Sequence, residues 1–255
     1  QKRGLLRGAS REPARNTDAG ASVCMDMRAF GFLSFGHYGN VQGSTTRTAG
    51  DMLRQTVDLA VAADEIGVNN ASVRVHHFAR QAAAPIPVLT AMAAKTQRIE
   101  VGTGVIDMRY ENPLYLAEEA AALDWIADGR IALGISRGSP EPALRGWEAF
   151  GYLGSEDPRG ADIAAEKFDL FLRAIEGERI APGDPQMVGA GQYLAVEPLS
   201  PTLRDHIWWG SGSRATAIET GRRGLNLMSS TLLTEATGKP FHELQREQID
   251  AFSEA

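Results

Sequence analysis

Cysteine is almost absent from this chain, since Cys24 is the only one among 255 residues. A disulfide framework and a zinc site built from cysteines are therefore excluded, and the composition fits a reducing, cytoplasmic location. No apolar run approaches the ~20 residues that a membrane-spanning helix needs. The net charge of −6 comes without a long block of Lys and Arg. We therefore expect neither a membrane nor a nucleic acid as a partner.

The first two dozen residues lack the apolar periodicity of the remaining chain and are rich in basic side chains. We expect residues 1–24 to be a disordered or extraneous extension, although a transit-like arm is an alternative. We expect one domain over residues 25–255, because a hydrophobic content of 43% is enough for a sizeable core.

Strand-like and helix-like segments alternate from Phe30 onward. Short apolar runs predict six strands, over residues 30–35, 71–75, 99–106, 131–136, 206–210 and 225–228. Helical periodicity predicts helices near residues 53–67, 87–95, 116–126, 161–176 and 214–223, and after Pro240. Residues 180–204 have little periodicity, which predicts an insertion or a long loop. This α/β order indicates parallel strands with right-handed crossovers, in either a barrel or a doubly wound sheet.

Two glycine- and serine-rich turns follow neighbouring strands of the predicted series. Arg137, Gly138 and Ser139 follow the fourth strand, and Ser211, Gly212 and Ser213 follow the fifth. A guanidinium together with the N–H groups at a helix start is typical of a phosphate clamp. The second turn is not a Walker loop, because no Gly-Lys-Ser/Thr follows it.

His76 and His77 follow the second predicted strand. Adjacent strand residues point to opposite faces, so a shared metal ion is not expected. One histidine facing a pocket as acid, base or hydrogen-bond donor is the functional interpretation. A structural histidine bonded to the backbone is the alternative. Gly102 and Gly104, within the third strand, indicate either a bulge or close approach to a flat ligand, with tight packing as the alternative.

Four segments together resemble the bacterial luciferase-like flavin monooxygenases. They are VRVHHFARQ at Val73–Gln81, RIEVGTGVI at Arg98–Ile106, NPLYLAEEAAALDWIADGRIALGISRG at Asn112–Gly138 and IWWGSGSRAT at Ile207–Thr216. The similarity runs in consistent order from about Met27 to Phe241. It implies a TIM-type (β/α)8 barrel.

The resemblance also implies the chemistry and the site. The expected activity is oxygenation of a small organic substrate through a C4a-peroxyflavin, with reduced FMN supplied by a partner flavin reductase. His76 matches the active-site histidine, Gly104-Val105 a non-proline cis peptide beside the flavin ring, and Arg137 the phosphate contact. Gly138 and Ser139 adjoin that arginine, and Ser211, Gly212 and Ser213 match the phosphate turn. Hydride transfer with F420 and non-catalytic flavin binding are the alternatives. We also expect a homodimer or heterodimer.

Two features depart from the resemblance. Ser136 stands where luciferases carry a reactive cysteine, which argues against aldehyde light chemistry but not against flavin binding. Only six strands are predicted, so an eight-stranded barrel would need two further βα units after Met228. An open six-stranded sheet should leave strand edges and apolar helix faces exposed.

Overall fold

A computed structural model of the chain describes residues 29–138, 141–230 and 237–255. Its strands are β1 (Gly31–Ser34), β2 (Asn70–Val73), β3 (Glu100–Asp107), β4 (Ile131–Ser136), β5 (Ala181–Pro182), β6 (Tyr193–Leu194), β7 (Ile207–Ser211) and β8 (Asn226–Ser229). Its helices are α1 (Ala49–Ile66), α2 (Pro85–Lys95), α3 (Pro113–Ala127), α4 (Ala161–Ile175), α5 (Pro185–Val188), α6 (Arg214–Arg222) and α7 (Phe241–Ser253). Short 3-10 helices cover Gly146–Phe150 and Leu203–His206.

Six parallel strands form one sheet in the order β1-β2-β3-β4-β7-β8, and β5 pairs antiparallel with β6 outside it. All six strands predicted from the sequence are confirmed, with ends shifted by no more than two residues. The fold is α/β, with the curled parallel sheet of an incomplete (β/α)8 barrel, and β1 and β8 are its edges among the described residues.

Local capping explains where the crossover helices begin and end. Thr48 and Asp51 form a reciprocal capping box at the start of α1, which ends at Gly67 with φ +87°. The Asn112 side chain accepts hydrogen bonds from the first turn of α3. Ser213 caps α6 by accepting from the Thr216 N–H. These capping residues therefore define the first turns of α1, α3 and α6 and the end of α1.

The outer face of the sheet carries the hydrophobic core. Val101, Ile131 and Leu133 are fully buried beneath the helices. Helix α4 adds Phe168, whose ring lies 4.3 Å from that of Trp209, centroid to centroid. Burial of these apolar side chains holds the helices on the sheet, at about 25 cal/mol per Å² removed from water.

The inner face is strongly curled and is rich in glycine. A Cβ on Gly104 would lie 3.0 Å from Leu33 Cδ1, and one on Gly210 would lie 2.7 Å from Val105 Cγ1. Each contact skips one strand, which requires the sheet to curl towards this face. A Cβ on Gly102 would lie 2.5 Å from the Ala132 carbonyl oxygen, and one on Gly134 would lie 2.5 Å from the Gly104 carbonyl oxygen. Neighbouring backbone therefore excludes larger residues here.

Two sequence-based predictions about local structure need correction. Residues 180–204 are an insertion rather than a plain loop, because β5, α5 and β6 form a small hairpin within them, outside the six-stranded sheet. The prediction of a cis peptide bond at Gly104-Val105 was wrong. Among the described residues, the cis peptide bond is Glu197-Pro198. A bulge between Thr103 and Ile106 gives β3 its irregularity at this point, and a trans bond avoids the cost of a non-proline cis bond.

Open edges leave apolar side chains in solvent, as predicted for an unclosed sheet. Leu33 on β1 is 45% exposed and Ile66 at the end of α1 is 81% exposed. The extension predicted over residues 1–24 lies outside the described residues. Within the described ranges, no helix has both the length and the apolar character needed to cross a bilayer.

Candidate active site

The carboxyl ends of the parallel strands gather the predicted site residues at one edge of the sheet. Leu133 pairs with Ile207 and Ile135 with Trp209, so β4 and β7 are neighbours. Arg137 follows β4 directly, and Ser211 ends β7. His76 follows β2 at the same edge. The sequence-predicted phosphate turn and histidine therefore lie on one rim, which is the usual place for sites in parallel α/β folds.

Arg137 is half-buried and carries an unpaired charge within the described part of the chain. No hydrogen bond or ion pair joins its guanidinium to a described residue. Burial, and next the nearby Arg159 guanidinium, lower the pKa of Arg137. The nearby Asp157 carboxylate, which lies 3.9 Å from Arg159 Nε, acts on this pKa in the opposite direction. Arg137 is thus the described residue best suited to hold a phosphate.

The turn after β7 presents serine oxygens and the start of a helix. Ser211 is fully buried, and its hydroxyl donates to the Ser213 carbonyl oxygen at 2.9 Å. The Ser213 hydroxyl accepts from the Thr216 N–H at 3.3 Å. Gly212 joins the two. The serines therefore shape the turn and cap α6, whose N-terminal end carries partial positive charge.

Gly138 crosses directly over a buried ion pair. Its φ is +91°, and a Cβ there would lie 2.0 Å from Asp107 Oδ2. Its N–H donates to Ser136 Oγ at 2.8 Å. Gly138 was predicted to contact cofactor, and the geometry gives it a structural reason as well, because any side chain would collide with Asp107. Ser139 lies outside the described residues.

Asp107 and Arg109 form that buried pair at the end of β3. Arg109 Nη2 and Asp107 Oδ2 are 2.5 Å apart, and both side chains are more than nine-tenths buried. Burial raises the pKa of Asp107 despite this partner. Arg109 Nη1 also donates to the Arg159 carbonyl oxygen at 3.1 Å. The pair fixes the rim between His76 and Arg137, and sequence reasoning missed it.

His76 is buried on the inner side of the rim. Its backbone N–H donates to the Ala82 carbonyl oxygen at 2.9 Å. Its ring nitrogen Nε2 lies 2.9 Å from Arg74 Nη2. Burial, and next the Arg74 charge, lower the pKa of His76, although Glu141 and Asp107 act in the opposite direction. His76 is therefore neutral near pH 7.

His77 has a different environment from its neighbour, as alternation predicts. Its ring stacks on Tyr110 with centroids 4.1 Å apart, and Phe150 meets it edge-on at 5.4 Å. Its N–H donates to Glu141 Oε1 at 3.2 Å. Burial lowers its pKa. Across the described ranges, no cluster of three or more His, Cys, Asp or Glu side chains is arranged to hold a metal ion.

A second pair of charged residues lies behind the rim and was also missed. Burial raises the pKa of Glu111 to about 7, with Glu119 as the next cause. Burial lowers the pKa of Lys167 to about 8. The Lys167 ammonium donates to the Arg109 carbonyl oxygen at 2.7 Å. The only available sequence signal was the run of polar residues directly after β3, which resembles an ordinary surface turn.

Gly104 and Val105 lie on the bulged part of β3. Val105 reaches across to Gly210 of β7, and Gly104 contacts Leu33 of β1. Both residues therefore form part of the inner wall between His76 and the phosphate turn. The bulge that the glycines predicted is confirmed in β3. The close contact that a Cβ at Gly104 would make is with Leu33 of β1 and not with a helix.

Comparison with known proteins assigns the chain to a family. The sequence profile of luciferase-like monooxygenases matches residues 27–252. Limonene 1,2-monooxygenase of Rhodococcus erythropolis is 25% identical over 213 residues, which are 83% of this chain and 52% of that protein. F420-dependent glucose-6-phosphate dehydrogenase of Nocardia farcinica is 33% identical over 181 residues, which are 67% of this chain and 51% of that protein.

A solved structure supports the same fold. The oxygenating constituent of 3,6-diketocamphane monooxygenase from Pseudomonas putida, in complex with FMN, superposes with a TM-score of 0.65 at 17% identity. The match covers 89% of this chain and 61% of that one. The chain belongs to the luciferase-like monooxygenase family. It spans only a third to a half of the length of the first matching curated relatives.

Proposed function

We propose that the chain is a flavin-dependent monooxygenase that binds reduced FMN at the rim and oxygenates a small organic substrate. The observation that carries the proposal is the unpaired Arg137 guanidinium beside the capped start of α6. A phosphate placed there would receive charge-assisted hydrogen bonds from Arg137 and would meet the positive end of the helix. The described residues therefore fit a phosphorylated flavin.

Each part of the rim has its own task in this proposal. Arg137 and the Ser211–Ser213 turn would hold the phosphate, while Gly104 and Val105 form the wall against which a flat ring would lie. His76 would offer a hydrogen bond to the reacting oxygen. Bound reduced FMN would supply the oxygen chemistry, through the C4a-peroxyflavin that the family resemblance implies. The chain's own contribution is orientation and exclusion of water.

A separate reductase is part of the proposal. The 3,6-diketocamphane relative is described as an oxygenating constituent, and an Acinetobacter baylyi relative is the oxygenase component of a trigonelline monooxygenase. In this proposal the chain receives reduced flavin from that reductase. A cytoplasmic location and a dimer remain predictions.

Hydride transfer with F420 is the second candidate, favoured by the 33% identity to the F420-dependent dehydrogenase. Both cofactors carry a phosphate, so the Arg137 region fits either. Non-catalytic flavin binding is the third reading, and a turnover assay separates all three.

The test measures binding first and turnover second. We expect FMN to bind the 255-residue chain and Arg137→Ala to weaken binding by about tenfold to hundredfold, because a charge-assisted hydrogen bond is lost. Arg222→Ala is the matched control, since its side chain is exposed and it lies at the C-terminal end of α6, away from the turn; it should bind nearly as wild type. Equal FMN affinity in wild type and Arg137→Ala would refute the clamp.

Turnover then distinguishes the candidates. Formation of an oxygenated product from a panel of small organic substrates, in the presence of reduced FMN and O2, supports the monooxygenase. Turnover with reduced F420 alone supports hydride transfer, and tight FMN binding without turnover under either condition supports a binding protein.

A further inference from the structure

Arg74 lies on the inner face of the sheet, two residues before His76. Its neighbours Val73 and Val75 are 1% and 4% exposed and point into the helix-covered core. Alternation along the strand therefore directs Arg74 to the opposite face. Its N–H donates to the Ser34 carbonyl oxygen at 2.8 Å, which extends the pairing of β2 with β1. The Arg74 backbone is thus fixed by the sheet.

The Arg74 side chain is held between an aromatic ring and an imidazole. Its guanidinium carbon lies 4.9 Å from the centroid of the Phe35 ring. Its Nη2 lies 2.9 Å from His76 Nε2. Phe35 in turn stacks on His37, with ring centroids 5.7 Å apart. The segment after β1 and the histidine after β2 are connected through one planar cation.

Hydrogen-bond chemistry decides the state of the imidazole. Arginine has only donors, so Nε2 of His76 must be the acceptor. A neutral imidazole that accepts at Nε2 carries its proton on Nδ1. Protonation of Nε2 would place two N–H groups and two positive charges against each other.

We propose that Arg74 is a positioning residue that holds His76 as the neutral tautomer protonated at Nδ1. In this state His76 can donate one hydrogen bond from Nδ1, but it is a poor source of a transferable proton. This catalytic consequence rests on the proposed function, because it concerns the same site. The tautomer itself does not depend on any flavin.

The charged groups around His76 act in both directions. Arg74 and His37 disfavour the imidazolium, whereas Glu141 and Asp107 favour it, and burial adds to the disfavouring side. Removal of Arg74 takes away the largest charge that opposes these two carboxylates at His76. The pKa of His76 should therefore rise in a variant without the guanidinium.

The decisive experiment is an NMR titration of the ring nitrogens of the 15N-histidine-labelled chain without flavin. The chain has five histidines, and His76 is assigned from the signals that disappear in His76→Gln. In wild type we expect an Nδ1-protonated His76 with a pKa below the ordinary histidine range. In Arg74→Met we expect the pKa to move upward and the two tautomers to mix.

Two control variants keep the outcome interpretable. Arg80→Met removes an exposed arginine of the same segment and should leave the His76 titration unchanged. Arg74→Lys keeps the positive charge but loses the planar guanidinium. In this variant the pKa of His76 should stay low, whereas the preference for a single tautomer should weaken. Unchanged His77 signals in Arg74→Met will show that the local fold is intact. A His76 titration that is identical in wild type and Arg74→Met would overturn the proposal.

Turnover of the same variants separates this proposal from the function it rests on. With an active flavin system, Arg74→Met should lower kcat by about tenfold or more and move the acidic limb of its pH profile upward. If the NMR shift occurs but no flavin supports turnover, the tautomer assignment holds and the monooxygenase proposal fails. If turnover occurs and the pH profile of Arg74→Met matches that of wild type, the positioning role fails alone.

Discussion

The rim has two parts that carry similar residues in opposite electrostatic states. In the paired part, at the end of β3, the Arg109 guanidinium is buried against Asp107 beneath Gly138. In the open part, between β4 and β7, the Arg137 guanidinium has no such partner among the described residues. The charge of Arg109 is neutralised within the protein, whereas the charge of Arg137 is available to a bound anion.

We infer from this difference that Arg109 contributes to the stability of the fold and that Arg137 contributes to ligand binding. A buried charge whose partner is removed costs several kcal/mol, about 3–5 in measured cases. A half-exposed charge without a partner contributes little to folding and can give its full interaction to a ligand. Burial and pairing, rather than residue type, separate the two roles.

Removal of each guanidinium in turn tests this difference with the largest expected effect. Arg109→Met leaves the Asp107 carboxylate buried without its partner, so we expect the free energy of unfolding to fall by about 3–5 kcal/mol. Arg137→Met should change it by less than about 0.5 kcal/mol. Denaturant titration of both variants measures the difference. Similar losses in the two variants would mean that Arg137 is structural after all.

Replacement of the glycine between the two parts should have the next largest effect. Gly138→Ala combines a φ of +91° with a Cβ 2.0 Å from Asp107 Oδ2, so we expect a loss of about 3 kcal/mol in the free energy of unfolding. Gly151→Ala is the matched control, because its φ is +89° and nothing lies within 4 Å of its Cβ. That control should cost only about 1 kcal/mol, for backbone strain alone. A loss no greater than that of Gly151→Ala would show that the strand end can yield.

The smallest effect concerns pH and sharpens the contrast in burial. Burial raises the pKa of Glu111 to about 7 from its ordinary value of 4.5, so the folded chain binds a proton that the unfolded chain releases between these values. The stabilising effect is complete below pH 4.5 and is lost as the pH rises through 7. Glu111→Gln should therefore flatten this slope and raise the free energy of unfolding at pH 7.5 by about 2 kcal/mol.

Glu118→Gln is the control for that titration, because this neighbouring carboxylate is exposed. It should retain the slope of the wild type. A slope that persists in Glu111→Gln would assign the pH dependence to another group.

The strands and crossover helices were predictable because each uses its own local signal. The run Ile131 to Ser136 is apolar throughout, and its observed bounds match the prediction. Arg137 and the Ser211–Ser213 turn were found because glycine, serine and arginine directly follow such runs. Their proximity then followed from β4 and β7 being parallel neighbours.

The paired part of the rim could not be read in the same way. Asp107 and Arg109 stand two residues apart in a segment that looks like a solvated turn, and only the fold shows that Gly138 covers them. Glu141 meets the His77 backbone across 64 positions of sequence. Arg74 did have a signal, namely a charged residue between two buried valines, which indicates an inward-facing position on the strand.

The glycines of the inner wall restrict which substitutions this chain can accept beside the candidate site. Backbone oxygens occupy the space that a Cβ at Gly102 or Gly134 would need. A larger residue at either position would force neighbouring strands apart, so the wall does not tolerate single substitutions there. Diversification must instead proceed by lengthening or rewriting the connections above the wall, such as the segment between β1 and α1.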